Sequence, residues 1–237
     1  MHYDAVTEGR FLDRPNRFIA HVEINGEVEV CHVKNTGRCR ELLIPGVKVY
    51  LAKGKNPLRK TPYDLIAVEK IRQGKTPLLI NMDSQAPNDA AEEFLRKGTL
   101  FPPGSTLRRE VTHGSSRFDF QITSPDGQIT FLEVKGVTLE QQGVALFPDA
   151  PTLRGVRHLQ ELAHCTEEGF HAAVLFVIQM KEIRCFRPHD AMHPEFGMAL
   201  RQAQQAGVRL YALDCRVTPR SMEIDTPVRI DLDPATE

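Results

Sequence analysis

Residues 116–136, SRFDFQITSPDGQITFLEVKG, decide the fold of the second half of this chain. Two runs rich in apolar residues flank Ser124-Pro125-Asp126-Gly127, a sequence of turn-forming residues. This pattern predicts two antiparallel strands joined by a tight turn, near Arg117–Thr123 and Ile129–Lys135.

Three charged residues of these strands are predicted to converge. Side chains alternate along a strand, so Glu133 and Lys135 share one face while Val134 faces the other layer, and the hairpin brings Asp119 alongside. Two converging carboxylates repel each other and suit a hard divalent ion, Mg²⁺ or Mn²⁺. The lysine adds a positive charge, and the three side chains together suit phosphodiester hydrolysis.

The alternative is a solvated acid and a weak surface salt bridge, the usual fate of such pairs. The neighbours argue against it, because Phe131-Leu132 precedes Glu133 and Gly136-Val137 follows Lys135. Charges in an otherwise apolar strand need partners, so a metal-binding or catalytic role is favoured.

The remainder of this half alternates helices and strands. The continuous apolar run at Ala172–Ile178 is typical of a strand buried on both faces of a sheet, which makes the domain α/β. The other predicted elements are a helix at Asp89–Lys97 capped by Asn88, a strand at Leu107–Thr112, helices at Arg154–Glu168 and Pro194–Ala206, and a strand at Val208–Leu213.

Three further side chains are candidates for this site. Arg154 and His158 lie four residues apart at the start of a predicted helix, whose N-terminus already favours phosphate. They could equally be surface side chains of a helix capped by Thr152. Glu110, on the preceding strand, is a candidate extra metal ligand.

The first 83 residues follow a different pattern. Residues 17–33 alternate polar and apolar side chains around Asn25-Gly26, a strong hairpin signal. Three more strands are predicted at Val47–Ala52, Asp64–Ile71 and Leu78–Met82. Five short strands predict a small closed barrel, with an oligonucleotide-binding (OB) barrel favoured over an SH3-like barrel. The boundary at Ser84–Pro87 divides the chain into residues 1–83 and 84–237.

Charge is divided unevenly between these parts. Residues 1–83 hold 14 lysines and arginines against 10 acidic residues, whereas residues 84–237 hold 16 against 21. Within residues 34–60, eight basic residues face the single acid Glu41. Such a stretch suits a phosphate-binding surface, although a merely solvated face would look the same.

Composition excludes several classes of protein. The N-terminus lacks the apolar run of a signal peptide, and no stretch approaches the length of a membrane span, so we expect a cytoplasmic protein without membrane contact. Five scattered cysteines with no CxxC pair indicate neither a disulfide framework nor a zinc knuckle. The chain has no tryptophan, so a carbohydrate-binding role gains no support.

Several segments in order, RFLDRPNRF, HVKNTGRCRELLIPG, SRFDFQI, FLEVKGVTL and FPDAPTLRGVRHLQEL, make the whole chain resemble the bacterial sugar fermentation stimulation protein A family. The resemblance implies an N-terminal OB-fold barrel and an α/β domain similar to the PD-(D/E)xK nucleases, with DNA binding and regulation of sugar, notably maltose, use. It places the superfamily's acid, acid and lysine at Asp119, Glu133 and Lys135, with Phe118 where the motif has proline. That superfamily also contains inactive members.

Two functions therefore stay open: a Mg²⁺-dependent nuclease, and a non-catalytic DNA-binding regulator. DNA is the expected partner in both, and a homodimer is left open. The basic and polar candidates for DNA contact in the barrel are Arg10, Arg14, Arg17, Asn35, Thr36, Arg38 and Arg40.

Overall fold

The computed structural model describes residues 1–35, 37–54, 56 and 58–233. Thr36, one of the predicted DNA-contact residues, lies outside the described residues. Over these ranges, every helix is too short or too polar to cross a membrane.

The first six strands form the predicted barrel and one further strand paired with it. They are β1 (Val6–Asp13), β2 (Ile19–Ile24), β3 (Glu27–Val33), β4 (Lys48–Lys53), β5 (Tyr63–Lys70) and β6 (Leu78–Asn81). Their order is β3-β2-β1-β4-β5-β6, and a parallel pairing of β3 with β5 closes the first five strands into a barrel. The turn at Asn25-Gly26 joins β2 to β3, and both of its residues have positive φ.

The predicted set of five strands differs from the observed five in one member. Strand β1 was not predicted, because its side chains do not alternate cleanly and only Phe11 is fully buried. The last predicted strand is β6, which pairs with the far end of β5 beyond its contact with β3. The closed barrel is therefore confirmed, with a different strand completing it.

The second half is an α/β structure. Its elements are α1 (Ala86–Arg96), β7 (Thr106–His113), β8 (Ser116–Thr123), β9 (Ile129–Val137), β10 (Leu139–Gln141), β11 (Val144–Phe147), α2 (Leu153–Glu167), β12 (His171–Ile178), β13 (Cys185–Pro188), α3 (Pro194–Gln205), β14 (Arg209–Thr218), β15 (Ser221–Pro227) and β16 (Arg229–Ile230). The central sheet has the order β15-β14-β12-β9-β8-β7, with β9, β12 and β14 parallel.

Helices cover both faces of this sheet. Helix α1 packs on one face, and α2 and α3 pack on the other. Strand β12 lies between β9 and β14 and is buried along seven of its eight residues, as its apolar run predicts. A second sheet, β10-β11-β13-β16, was not predicted, because strands of two to four residues carry too little pattern to be recognised.

The barrel packs against the α/β half over an extensive contact. One apolar cluster contains side chains from both halves, among them Met82 and Phe176. The Gln179 side chain donates to the backbone oxygens of Asn81 and Asp83. The shared core contains residues from both sides of residue 84, so it does not mark a boundary there. The division into residues 1–83 and 84–237 stays a prediction.

Candidate functional site

The site begins where two neighbouring strands separate. Strand β8 pairs with β9 only as far as Phe120 opposite Leu132. At the next residue the Asp119 carboxylate replaces a backbone partner and accepts the N–H of Val134 at 2.7 Å. Its other oxygen accepts a hydrogen bond from the Asn88 amide at 2.8 Å. Asp119 is thereby fixed beside β9, next to Glu133.

Glu133 is the most enclosed acid of the group, with a side chain that is 5% exposed. One oxygen, Oε1, accepts from Lys135 Nζ at 2.7 Å and contacts His158 Nδ1. Lys135 Nζ also lies 3.5 Å from that histidine nitrogen. The other oxygen, Oε2, is buried and has no hydrogen-bond partner among the described residues.

The pKa values of the two acids are shifted in opposite directions. Burial raises the pKa of Asp119, and the negative charge of Glu133 raises it further, against the hydrogen bonds that Asp119 receives. Burial also pushes the pKa of Glu133 upward, but His158 and Lys135 bring it below its usual value. In this site the ionised form of Glu133 is stabilised by nearby positive charge. The ionised form of Asp119 is not stabilised enough to offset its burial and the charge of Glu133.

Gly136 allows this site to be closed on one side. A Cβ at this position would lie 2.6 Å from Gln179 Oε1 and 2.7 Å from Pro87 Cγ. Only glycine therefore lets the first turn of α1 approach β9 closely enough for Asn88 to reach Asp119. Asn88 was expected to cap α1, but that helix begins at Ala86, so its amide is free to bind the acid.

Helix α2 contributes the two predicted phosphate-facing residues, and their positions differ. Thr152 caps the helix by accepting the Gly155 N–H at 3.0 Å. Arg154 is exposed at the first turn, as expected. His158 is buried instead, with Nδ1 against Glu133 and Nε2 accepting from Arg154 Nε at 3.2 Å. His158 therefore holds Glu133 and Arg154 in place, and the expectation that it faces a phosphate needs correction.

Glu110 also departs from its expected role. It lies in β7 with positive φ and forms an ion pair with Arg117 at 2.7 Å, with 43% of its side chain exposed. An exposed carboxylate already held by an arginine is poorly placed to serve as a third ligand beside Glu133.

Arg14 joins the two barrel loops that carry the basic candidates Arg17, Arg38 and Arg40. Its guanidinium donates to four backbone carbonyls, those of Arg17, Asn35, Gly37 and Arg38, at 2.6 to 2.8 Å. The Asn35 side chain accepts the Gly37 N–H at 2.8 Å. Arg14 and Asn35 therefore shape the loop, which corrects their expected role as DNA contacts.

Three exposed arginines remain together on this loop and its neighbour. Arg17, Arg38 and Arg40 line one pocket of about 340 Å³. Arg38 and Arg40 also line a larger cleft, of about 930 Å³, between the barrel and the α/β half, whose lining also includes Arg184, Arg187 and five acidic residues. Arg10 lies apart, in a small pocket with two acids, Glu8 and Glu23. The structure thus groups three of the predicted residues and separates Arg10.

The donor chemistry of the acidic site fits a hard divalent ion. The Glu133 carboxylate oxygen Oε2 is buried without a hydrogen-bond partner among the described residues and lies next to a second, partly buried acid, so a cation between them would satisfy it. Within the described residues, however, three His, Cys, Asp or Glu ligand atoms do not gather within 4.8 Å at Asp119 and Glu133. Two carboxylates suit Mg²⁺, which keeps several waters and takes substrate phosphate oxygens.

Comparison with known proteins identifies the relationship. A model described as "Sugar fermentation stimulation protein RE domain" matches residues 85–221, and one described as "SfsA N-terminal OB domain" matches residues 12–75. The chain belongs to the sugar fermentation stimulation protein (SfsA) family. The family resemblance seen in the sequence is thereby confirmed, as is the order of an OB-fold barrel followed by an α/β domain.

Relatives named "Sugar fermentation stimulation protein homolog" match over nearly the whole chain. The one from Ruminiclostridium cellulolyticum is 50% identical, covering 98% of this chain and 100% of its own. The one from Desulfitobacterium hafniense strain DCB-2 is 53% identical, covering 98% and 99%. The solved structure "The structure of Pyrococcus Furiosus SfsA in complex with Ca2+" is 28% identical, with a TM-score of 0.86 and 98% coverage of both chains.

Two features of the site had no clear signal in the sequence. Asn88 looked like a capping residue, because Asn before a helical pattern is a common cap. The inward position of His158 depends on β9 lying beneath α2, which no local spacing reveals. Gly136 could have been noticed, since a glycine inside an apolar strand indicates close backbone approach.

Proposed function

We propose that this chain is a DNA-binding protein that hydrolyses phosphodiester bonds with Mg²⁺ or Mn²⁺ at Asp119, Glu133 and Lys135. One observation carries the proposal: Glu133 Oε2 is buried without a hydrogen-bond partner among the described residues, beside the partly buried carboxylate of Asp119. A cation between the two acids would satisfy that oxygen and reduce their repulsion.

Asp119 and Glu133 are the residues that would hold the metal. When bound, the ion lowers the pKa of a coordinated water and stabilises charge on the phosphate. Lys135 holds its ammonium 2.7 Å from Glu133, where it would neutralise negative charge developing on a phosphate bound at the metal. Arg154 and the N-terminus of α2 present further positive potential on the same side, which suits an adjacent phosphate of the backbone.

DNA would reach this site from the barrel. In this proposal residues 1–83 bind the nucleic acid and residues 84–237 act on it. Arg38 and Arg40 supply exposed positive charge in the cleft between the two halves, and Arg17 supplies it in the adjoining pocket of the barrel. Few aromatic side chains accompany these guanidinium groups, so contacts with the phosphate backbone are expected to outweigh base stacking, and binding should depend strongly on salt.

The comparisons agree with parts of this proposal. The Pyrococcus furiosus relative, 28% identical, has a solved structure with Ca²⁺, which supports a place for a hard divalent ion in this fold. The relatives' names refer to stimulation of sugar fermentation, which supports a role in sugar metabolism but names no reaction.

The test is cleavage by purified protein. Supercoiled plasmid and branched DNA are incubated with Mg²⁺, Mn²⁺ or chelator, beside Glu133→Gln and a surface control, Glu182→Gln. We expect metal-dependent nicking by the wild type and Glu182→Gln, and none by Glu133→Gln. Cleavage by wild type no greater than that of Glu133→Gln would defeat the enzymatic proposal.

The second candidate is a non-catalytic DNA-binding regulator of sugar, notably maltose, metabolism. The small number of protein ligands favours it, because within the described residues Asp119 and Glu133 do not belong to a group of three ligand atoms within 4.8 Å of one another. In that case DNA affinity would be retained in Glu133→Gln, with no cleavage by either protein under any metal. Binding measured alongside cleavage distinguishes the two functions.

A further inference from the structure

A second cluster of metal-ligating side chains lies away from the acidic site. His113 ends β7, Cys165 lies in the last turns of α2, and Glu168 caps that helix. One ligand atom from each of these residues lies within 4.8 Å of the other two. Cys165 follows His158 by seven residues, about two helical turns, so this cluster is roughly 10 Å along α2 from the acidic site.

The histidine is held in position before any ion binds. Its ring stacks on Phe131 at 4.6 Å between centroids and meets the edge of Phe170 at 5.0 Å. These contacts direct Nε2 toward Glu168 Oε2, 2.6 Å away. Two aromatic rings therefore form an apolar wall behind the imidazole, and its ligating nitrogen faces the carboxylate.

The three residues also differ in exposure in a way that suits an ion entering from solvent. Cys165 is buried and presents its thiol from the interior. The side chains of His113 and Glu168 are 29% and 38% exposed and form the outer edge. An ion can reach the cluster from that edge, where solvent can supply a water as a further ligand.

The donor set decides which ion fits. We propose that His113 Nε2, Cys165 Sγ and a Glu168 carboxylate oxygen form a Zn²⁺ site, with water as the fourth ligand. Nitrogen, sulfur and oxygen together suit a borderline-soft ion, whereas Mg²⁺ and Ca²⁺ take oxygen ligands. Tetrahedral bonds of about 2.0–2.3 Å place ligand atoms roughly 3.3–3.8 Å apart, so small side-chain adjustments bring this group into range.

Such an ion would join two elements that also carry the acidic site. The β7–β8 hairpin already contacts α2 through Ser115 Oγ, which donates to Glu161 Oε1 at 2.8 Å. With one ligand from β7 and two from the C-terminal end of α2, the ion would strengthen the contact between the hairpin and the helix. Because β8 carries Asp119 and α2 carries His158, the Zn²⁺ would hold both sides of the acidic site in register.

The experiment uses reduced, tag-free protein with Zn²⁺ and Co²⁺ as probes. Zn²⁺ is titrated in competition with a chromogenic chelator, and Co²⁺ is followed by the near-ultraviolet absorption of thiolate-to-cobalt charge transfer. Wild type should bind one Zn²⁺ per chain and show the Co²⁺–thiolate band. Cys165→Ser should lose the band, and His113→Gln and Glu168→Gln should each weaken Zn²⁺ binding at least about tenfold.

Two controls separate this site from others. Cys185→Ser removes another buried cysteine, and Glu133→Gln alters the acidic site, so both should keep the band and the Zn²⁺ stoichiometry. Circular dichroism checks that each variant is folded; if Cys165→Ser is not, the partly exposed His113 and Glu168 variants decide. The proposal is overturned if wild type takes up no Zn²⁺ at micromolar concentration, or if the folded variants bind as tightly as wild type.

Discussion

The carboxylate of Asp119 accepts the backbone N–H of Val134 at 2.7 Å, at the point where β8 stops pairing with β9. A side chain thus completes a hydrogen bond that the sheet itself would otherwise make. The same acid lies next to Glu133, so strand separation and assembly of the acidic site depend on one residue. Asp119 is therefore expected to serve both stability and metal binding.

The two roles of Asp119 can be separated with two substitutions. Asp119→Ala leaves the Val134 N–H without its acceptor, and we expect the free energy of unfolding to fall by about 1–3 kcal/mol. Asp119→Asn keeps an acceptor oxygen and removes a charge that repels Glu133, so its stability should lie within about 1 kcal/mol of wild type. Both should lose Mn²⁺ affinity. Urea unfolding and Mn²⁺ titration measure this, and equal stability of the two variants would contradict it.

Lys135 competes with any cation for Glu133, because its ammonium lies 2.7 Å from Oε1. Lys135→Met removes that competitor together with the charge that would face the phosphate. We expect Mn²⁺ binding to be kept or tightened, while DNA cleavage falls by about 10²-fold or more. Isothermal titration and plasmid nicking on the same preparation check this. Weaker Mn²⁺ binding in the variant would show that the lysine does not compete with the ion.

Local pattern was sufficient for the elements that carry the acidic site. The positions of Asp119, Glu133 and Lys135 on two strands followed from alternation and from the turn at Ser124–Gly127, and both strands are present. The buried strand β12 followed from its apolar run. In each case the sequence of one segment is enough to predict the strand. A strand buried on one face alternates apolar and polar residues, and a strand buried on both faces is apolar throughout.

The rest depended on contacts between distant segments. Arg14 resembled a DNA-binding arginine, yet its guanidinium donates hydrogen bonds to the backbone carbonyls of Arg17, Asn35 and Gly37. His158 is turned inward by Glu133, 25 residues earlier in the chain. The Zn²⁺ cluster proposed at His113, Cys165 and Glu168 joins residues as many as 55 apart, and the three-residue spacing of Cys165 and Glu168 alone does not reveal it.

The arginines beside the cleft should account for a measurable share of DNA affinity. Arg38→Ala combined with Arg40→Ala removes two exposed charges, so binding should weaken for every sequence tested. The slope of log affinity against log salt concentration is negative, and its magnitude should fall by about 0.7–0.9 for each lost phosphate contact. Fluorescence anisotropy at several salt concentrations measures it. Arg96→Ala, an exposed arginine held by Glu92 on α1, is the matched control and should leave the slope unchanged.

Among the ion pairs of the described residues that join the two halves, Lys70–Glu140 and Arg72–Glu182 differ in exposure. Lys70 lies 2.6 Å from Glu140 in a largely enclosed contact, whereas Arg72 pairs with Glu182, whose side chain is 58% exposed. Removing one partner of an enclosed pair leaves a charge without compensation. We expect Glu140→Gln to lower the free energy of unfolding by about 3 kcal/mol. Glu182→Gln, the matched control, should cost less than about 1 kcal/mol.

The cost of Glu140→Gln should also depend on pH. Burial raises the pKa of Glu140, but the Lys70 ammonium and the Gly143 N–H lower it more, so the pKa lies below its usual 4.5. The ionised form is therefore favoured by folding, and its contribution is complete above pH 4.5 and is lost as pH falls through the folded-state pKa. The stability gap between wild type and Glu140→Gln should close in that range. Urea unfolding between pH 3 and 7 measures it, and a gap that stays constant on acidification would mean that the Lys70–Glu140 charge pair does not stabilise the contact between the two halves.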